Sequence, residues 1–150
     1  QTKWLCWIDR ETGHVTKKRK SPKTGTAFDA FFEMYKIKQM LGHPNLTLCL
    51  VLLEVEEYRY LDGWSEDKKK GSSRCERMPV ELTGEIYLNS IEDYKNLLPT
   101  NLQMPFTTKD FAKAAKIRLR ASQLTLNILH YMEAVERIGK QGNSYLYQTK

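Results

Sequence analysis

Between Phe106 and Tyr147 the spacing of apolar residues changes from helical to alternating, and that change sharply limits what these 42 residues can become. Thr107 or Thr108 is a natural N-cap, and Asp110 falls in the first turn, where a carboxylate suits the helix dipole. Phe111, Ala112 and Ala115 give this first helix a narrow apolar side on which a second helix can cross closely. Ile117 and Leu119 are expected to plug the turn. Ala121, Leu124, Ile128, Met132 and Val135 then recur at near-helical spacing, which predicts a second, longer amphipathic helix. A β-hairpin follows, turned by Gly139-Lys140-Gln141-Gly142-Asn143.

This order of parts resembles the winged helix-turn-helix domains of bacterial transcription regulators. The resemblance covers residues 106–147 and rests on the two-helix pattern and on Val-Glu-Arg-Ile-Gly-Lys-Gln-Gly at 135–142. Where such families usually carry glycine between the second helix and the wing strand, this chain has Glu133-Ala134. The resemblance implies duplex DNA as partner, with the second helix entering a major groove. Lys109, Lys116, Arg118, Arg120, Ser122, Gln123 and Asn127 are the candidate contacts on the helices, with Lys140 on the wing. Arginine and lysine suit phosphates and guanine, and glutamine and asparagine suit adenine. His130 is expected on the same side. Winged helices also serve as protein-docking modules, so an adaptor with a protein partner is the non-catalytic alternative, and a homodimer is compatible with either.

Charge follows the same division. Residues 1–43 hold nine Lys or Arg against four Asp or Glu, 44–105 hold seven against eleven, and 106–150 hold eight against three. Two basic ends thus flank an acidic middle, and basic segments attract polyanions by releasing counterions. The longest apolar run, Leu48 to Leu53, is too short to span a membrane and suits a buried strand. Cys6 lies between aromatic residues and Cys49 in an apolar stretch; with Cys75 they show no zinc-ribbon spacing. Cys6 and Cys49 are expected to be buried free thiols in a reducing, cytoplasmic setting. The chain begins at Gln1 rather than Met, which is expected of a trimmed sequence.

The fold class expected is α+β: residues 1–98 as one domain, 99–105 as connector and 106–150 as the winged helix. Within the first domain, residues 3–20 read as a hairpin around Asp9-Arg10-Glu11-Thr12-Gly13, with Gly13 free to take positive φ. A helix is predicted from Ala27 to Leu41 and a central strand, covered on both faces, from Leu46 to Tyr60. Residues 61–77 read as a polar loop, Pro79 to Tyr87 as a short strand, and Ile91 to Leu98 as a helix capped by Asn89 or Ser90. The Lys17–Lys23 run reads equally as phosphate contacts or as a lysine-protected strand edge.

An enzymatic alternative rests on carboxylates. Glu54 and Glu56 project from one face of the predicted central strand, and Asp9 sits at the hairpin turn. A nuclease would use two or three such groups around Mg²⁺ with a lysine. Asp62 followed by Glu66-Asp67-Lys68 superficially resembles the acidic-plus-Glu-x-Lys pattern of restriction-endonuclease-like proteins. His14, His43 and His130 have no ligand spacing, and no phosphate-binding glycine loop occurs. The expectation is therefore a DNA-binding protein with no cofactor.

Overall fold

The computed structural model describes residues 2–60 and 71–150. The architecture is mixed α+β and rich in strands, with the order β1 (Lys3–Ile8), β2 (Val15–Lys20), α1 (Phe31–Met34), β3 (Leu48–Tyr60), β4 (Ser73–Leu88), α2 (Ile91–Lys95), β5 (Phe106–Thr107), α3 (Thr108–Ala114), α4 (Leu119–Tyr131), β6 (Val135–Gln141) and β7 (Ser144–Thr149). One sheet has the order β2-β1-β3-β4 and the other β5-β7-β6. Two compact units result, one of residues 1–26 and 51–85, the other of 27–50 and 86–150. A boundary near residue 98 is not where the chain divides: residues 27–50 pack with the C-terminal elements.

The first unit holds the β1–β2 hairpin. Asp9 Oδ1 accepts from the backbone N–H groups of Glu11 and Thr12, and Gly13 takes φ +68° to complete the reversal. β1 pairs antiparallel with β2 and parallel with β3, and β3 stands between β1 and β4. The position of β3 is central, as expected, but its cover is not. Val55 and Glu57 are its only buried residues, while Cys49 and Val51 are exposed. The apolar run at 48–53 predicted more burial than the strand finds, because sequence gives the pleat but not what lies over it. Cys6 is buried as expected; Cys49, like Cys75, is exposed. The strand expected from Pro79 begins earlier, at Ser73, so residues 73–77 are not loop.

The second unit is built around one apolar cluster. Phe31, Met34 and Leu41 join Leu88, Tyr94, Phe106, Phe111, Leu126, Ile128, Leu129, Val135 and Tyr147 there. Burying each of these side chains contributes on the order of 1.5–3 kcal/mol. The expected helix at 27–41 forms as α1 flanked by 3₁₀ turns at Ala27–Ala30 and Tyr35–Met40, with Ile37 out of helical geometry. Four aromatic residues, Phe28, Phe31, Phe32 and Tyr35, with β-branched Ile37, weaken regular α-helix here. Gly42, at φ +79°, turns the chain away after it. Ser90 caps α2 and Thr107 caps α3, each in a capping box with an aspartate three residues on, Asp93 and Asp110.

Candidate nucleic-acid interface

α3 and α4 are joined by a turn whose geometry follows from two unusual residues. Lys116 takes φ +54°; its N–H donates to the Lys113 carbonyl at 3.3 Å, and the Ile117 N–H donates to Ala112 at 3.0 Å. This is a Schellman closure with lysine in the left-handed place that glycine usually fills. α4 ends in the same way. Glu133 takes φ +58°, its N–H bonds the His130 carbonyl at 3.2 Å, and the Ala134 N–H bonds Leu129 at 2.9 Å. Glu133 therefore stands in for the missing glycine, and α4 stops at Tyr131.

α3 begins in a capping box, with the Asp110 N–H donating to the Thr107 hydroxyl at 3.3 Å. Asp110 accepts from the Thr107 hydroxyl and N–H at 2.7 and 2.8 Å, and those bonds hold its carboxyl below the usual range. α4 begins differently. Arg118 is its N-cap, in an extended conformation, and its side chain makes no capping hydrogen bond. The first-turn N–H groups and the positive end of the helix dipole thus lie beside exposed Lys116, Arg118 and Arg120.

Arg120, Gln123, Asn127 and Tyr131 recur along one stripe of α4; all but the half-buried Asn127 are exposed. Asn127 accepts from Lys38 Nζ at 3.1 Å, and the same ammonium lies 5.1 Å from the Tyr131 ring and 5.4 Å from the Tyr35 ring. The N-terminal half of the stripe is therefore open, and Lys38 occupies its C-terminal half. Ser122 corrects the sequence reading: it is fully buried and donates to the Thr108 carbonyl at 2.6 Å, tying α4 to α3. The apolar stripe read from sequence was too narrow, since Thr125, Leu126 and Leu129 are also buried. His130 is half-buried, with Nδ1 3.2 Å from the Val135 carbonyl. Leu119, expected to plug the turn, is exposed, while Ile117 packs against the core.

Lys109 is exposed on α3, and Lys140 is exposed on β6, 5.0 Å from the Tyr145 ring. Arg137, which the sequence reading passed over, lies 4.3 Å from Tyr145 and 5.7 Å from Tyr147. The Ile138 position is bulged, since Arg137 pairs with Tyr147 but Gly139 with Leu146. Aromatic neighbours on β7 were the available signal for Arg137; nothing local in the sequence marked Lys38.

The carboxylates of the enzymatic alternative are each engaged. Glu54 accepts from Trp4 Nε1 at 2.7 Å. Glu56 pairs with Lys18 and accepts from the Tyr58 hydroxyl at 2.7 Å, which lowers its own pKa and raises that of Tyr58 to about 12. Asp9 is held below its ordinary range by the Thr12 N–H and hydroxyl and by the Glu11 N–H. Among the described residues no three His, Cys, Asp or Glu side chains gather where they could hold a metal ion. Asp62, Glu66 and Lys68 lie outside the described residues. No helix among the described residues is long and apolar enough to cross a membrane.

Residues 1–89 match the model of a family described as a domain of unknown function, DUF8091. No curated protein and no solved structure matches the chain.

Proposed function

The chain belongs to the DUF8091 family, and from that premise we propose that the elements beyond the matched span, β5 to β7, form a winged helix that binds duplex DNA through α4. One observation carries the reading: the N-cap of a 13-residue helix makes no side-chain cap hydrogen bond, and three exposed cations, Lys116, Arg118 and Arg120, fall at it or within two residues of it. Unsatisfied N–H groups, a helix dipole and guanidinium groups all favour a phosphate at that point. Arg120 and Gln123 then extend along the open half of α4, where base edges would be read, while Arg137 and Lys140 on the hairpin would follow the backbone. Lys109 supports the register from α3. Ser122 contributes by fixing the crossing of the two helices rather than by touching DNA.

The test is fluorescence anisotropy of a labelled random-sequence duplex at two ionic strengths. Binding should weaken steeply with salt. Arg118→Ala with Arg120→Ala should lower the slope of log affinity against log salt by about 1.8, at ~0.9 for each phosphate no longer neutralised. Salt-insensitive binding, or an unchanged slope in the double variant, would refute the proposal.

A further inference from the structure

The strand alternation in the first unit divides charge unevenly between the two faces of its sheet. Register places Leu5 beside Arg19 and Glu57, and Trp7 beside Lys17 and Arg59, so these side chains share a face with Lys3. Trp4 is paired with Lys20 and Glu56, and Cys6 with Lys18 and Tyr58, on the opposite face. The second face is balanced: Lys18 and Lys20 stand with Glu54 and Glu56. The first is not. Among the described residues of β1, β2 and β3 on that face, Glu57 is the one carboxylate against Lys3, Lys17, Arg19 and Arg59.

β4, which also carries Glu76, Glu81 and Glu85, brings two of its cations to this carboxylate. Arg77 reaches Glu57 at 2.7 Å and Arg74 at 3.6 Å, while Arg59 and Lys3 approach the same carboxylate at 2.6 and 3.2 Å. Glu57 is fully buried, whereas the Arg74 and Arg77 side chains keep 57 % and 46 % of their surface. A single buried anion therefore gathers four cations whose combined charge it does not cancel. Beside this group, Arg19 lies 5.4 Å and Lys17 6.0 Å from the ring centre of Trp7, a residue only 8 % exposed. The indole is covered by cations, so this face presents charge rather than a stacking surface.

We propose that this cationic sheet face is a second nucleic-acid surface, which binds the phosphodiester backbone independently of α4. Guanidinium groups predominate in it, and their planar forks match phosphate oxygens better than an ammonium does. Four strands span about 14 Å, over which a duplex carries one phosphate charge per ~1.7 Å. Cations held by ion pairs and ring contacts meet such a polyanion with little side-chain ordering left to do. An anionic membrane attracts cations by charge alone, but the apolar insertion that strengthens such binding is not offered by Trp7, which lies beneath Lys17 and Arg19; the vesicle titration separates the two.

One strand supplies the experiment. Lys17→Gln with Arg19→Gln and Lys18→Gln with Lys20→Gln remove two positive charges each from β2, on opposite faces. Both pairs are placed in the full chain carrying Arg118→Ala and Arg120→Ala, so that the contribution of α4 is already removed. A labelled duplex, a labelled single strand and vesicles rich in anionic lipid are titrated in parallel. The first pair should lower the salt slope by about 1.8 on duplex or about 1.4 on single strand, and the second should leave it near that of the parent; the tighter binding at one salt concentration identifies the preferred form. Thermal unfolding of each variant checks the fold, and Arg74→Gln, on β4, should act in the same direction as the first pair. Equal effects of the two pairs, no effect of either, or a decrease confined to vesicles would overturn the proposal.

Discussion

Glu57 offers the most direct physical test of the first unit. Burial alone would raise its pKa, but hydrogen bonds from Arg77, Arg59 and Lys3 outweigh it and bring the value from 4.5 to about 2. A difference of that size corresponds to about 3 kcal/mol at ~1.36 kcal/mol per unit. Since Arg74 and Arg77 are partly in water, screening leaves roughly 2–3 kcal/mol. The folded-state pKa is depressed, so the unfolded chain binds more protons between pH 4.5 and 2. The contribution is therefore complete above pH 4.5 and disappears as pH falls through about 2. Other carboxylates, including Asp9, Asp93 and Asp110, are also held below their ordinary range by hydrogen bonds, so they too lose stabilisation as pH falls. The informative quantity is thus the gap between wild type and Glu57→Gln, measured by urea unfolding from pH 7 to pH 2. Glutamine mimics the protonated acid, so the gap should stand at about 2–3 kcal/mol near neutrality and close towards pH 2. A gap that does not change with pH, or none at pH 7, would mean that the four cations do not depend on this carboxylate.

The helix ends give two further predictions. Lys116→Gly should stabilise the protein by about 0.5–1 kcal/mol, because relief of the left-handed strain exceeds the extra chain entropy of glycine. Lys116→Ala should bring no such gain, and the glycine variant should still bind duplex DNA less tightly; thermal melting and anisotropy read the two effects separately. Gly42→Ala should destabilise by about 1–2 kcal/mol, since φ is +79° and the new Cβ would stand 3.2 Å from Met132 Cε. Equal melting temperatures would show that the turn relaxes.

What the sequence disclosed and what it hid follow a common physical rule. Local chemistry was legible. The Asp9 turn, the Ser90 and Thr107 caps and the β6–β7 hairpin depend on residues within a few positions of one another, and each forms where it was expected. Long-range packing was not. The segment at 27–41 was read as helical, yet its companions include Phe111, Leu126 and Leu129, some eighty residues later, as well as Leu48 and Leu50 of the strand that follows it. Phe28 meets Phe111 edge-on at 5.4 Å, a contact that no periodicity within 27–41 could announce. The same blindness explains Cys49 and Val51. Their apolar alternation promised a strand covered on both faces, and the pleat is there, but it is Leu48 and Leu50 that meet the core while Cys49 and Val51 are exposed.

The candidate site shows the rule at the scale of single side chains. Arg118, Arg120 and Gln123 were predicted from residue type and are exposed, because the start of α4 follows directly from the preceding turn. Ser122 was assigned by type as well, and failed, because a hydroxyl serves equally as a base contact or as a buried donor. The Thr108 carbonyl decides between them, and only the crossing of α3 and α4 brings that carbonyl within 2.6 Å. In the first unit, a basic run that looked uniform in sequence is sorted by the strand pleat: Lys17 and Arg19 join Glu57's company of cations, while Lys18 goes to Glu56. Net charge was visible from composition, but its direction required the register. A polyanion meets a face rather than a sequence, so register decides which of these lysines and arginines can act together.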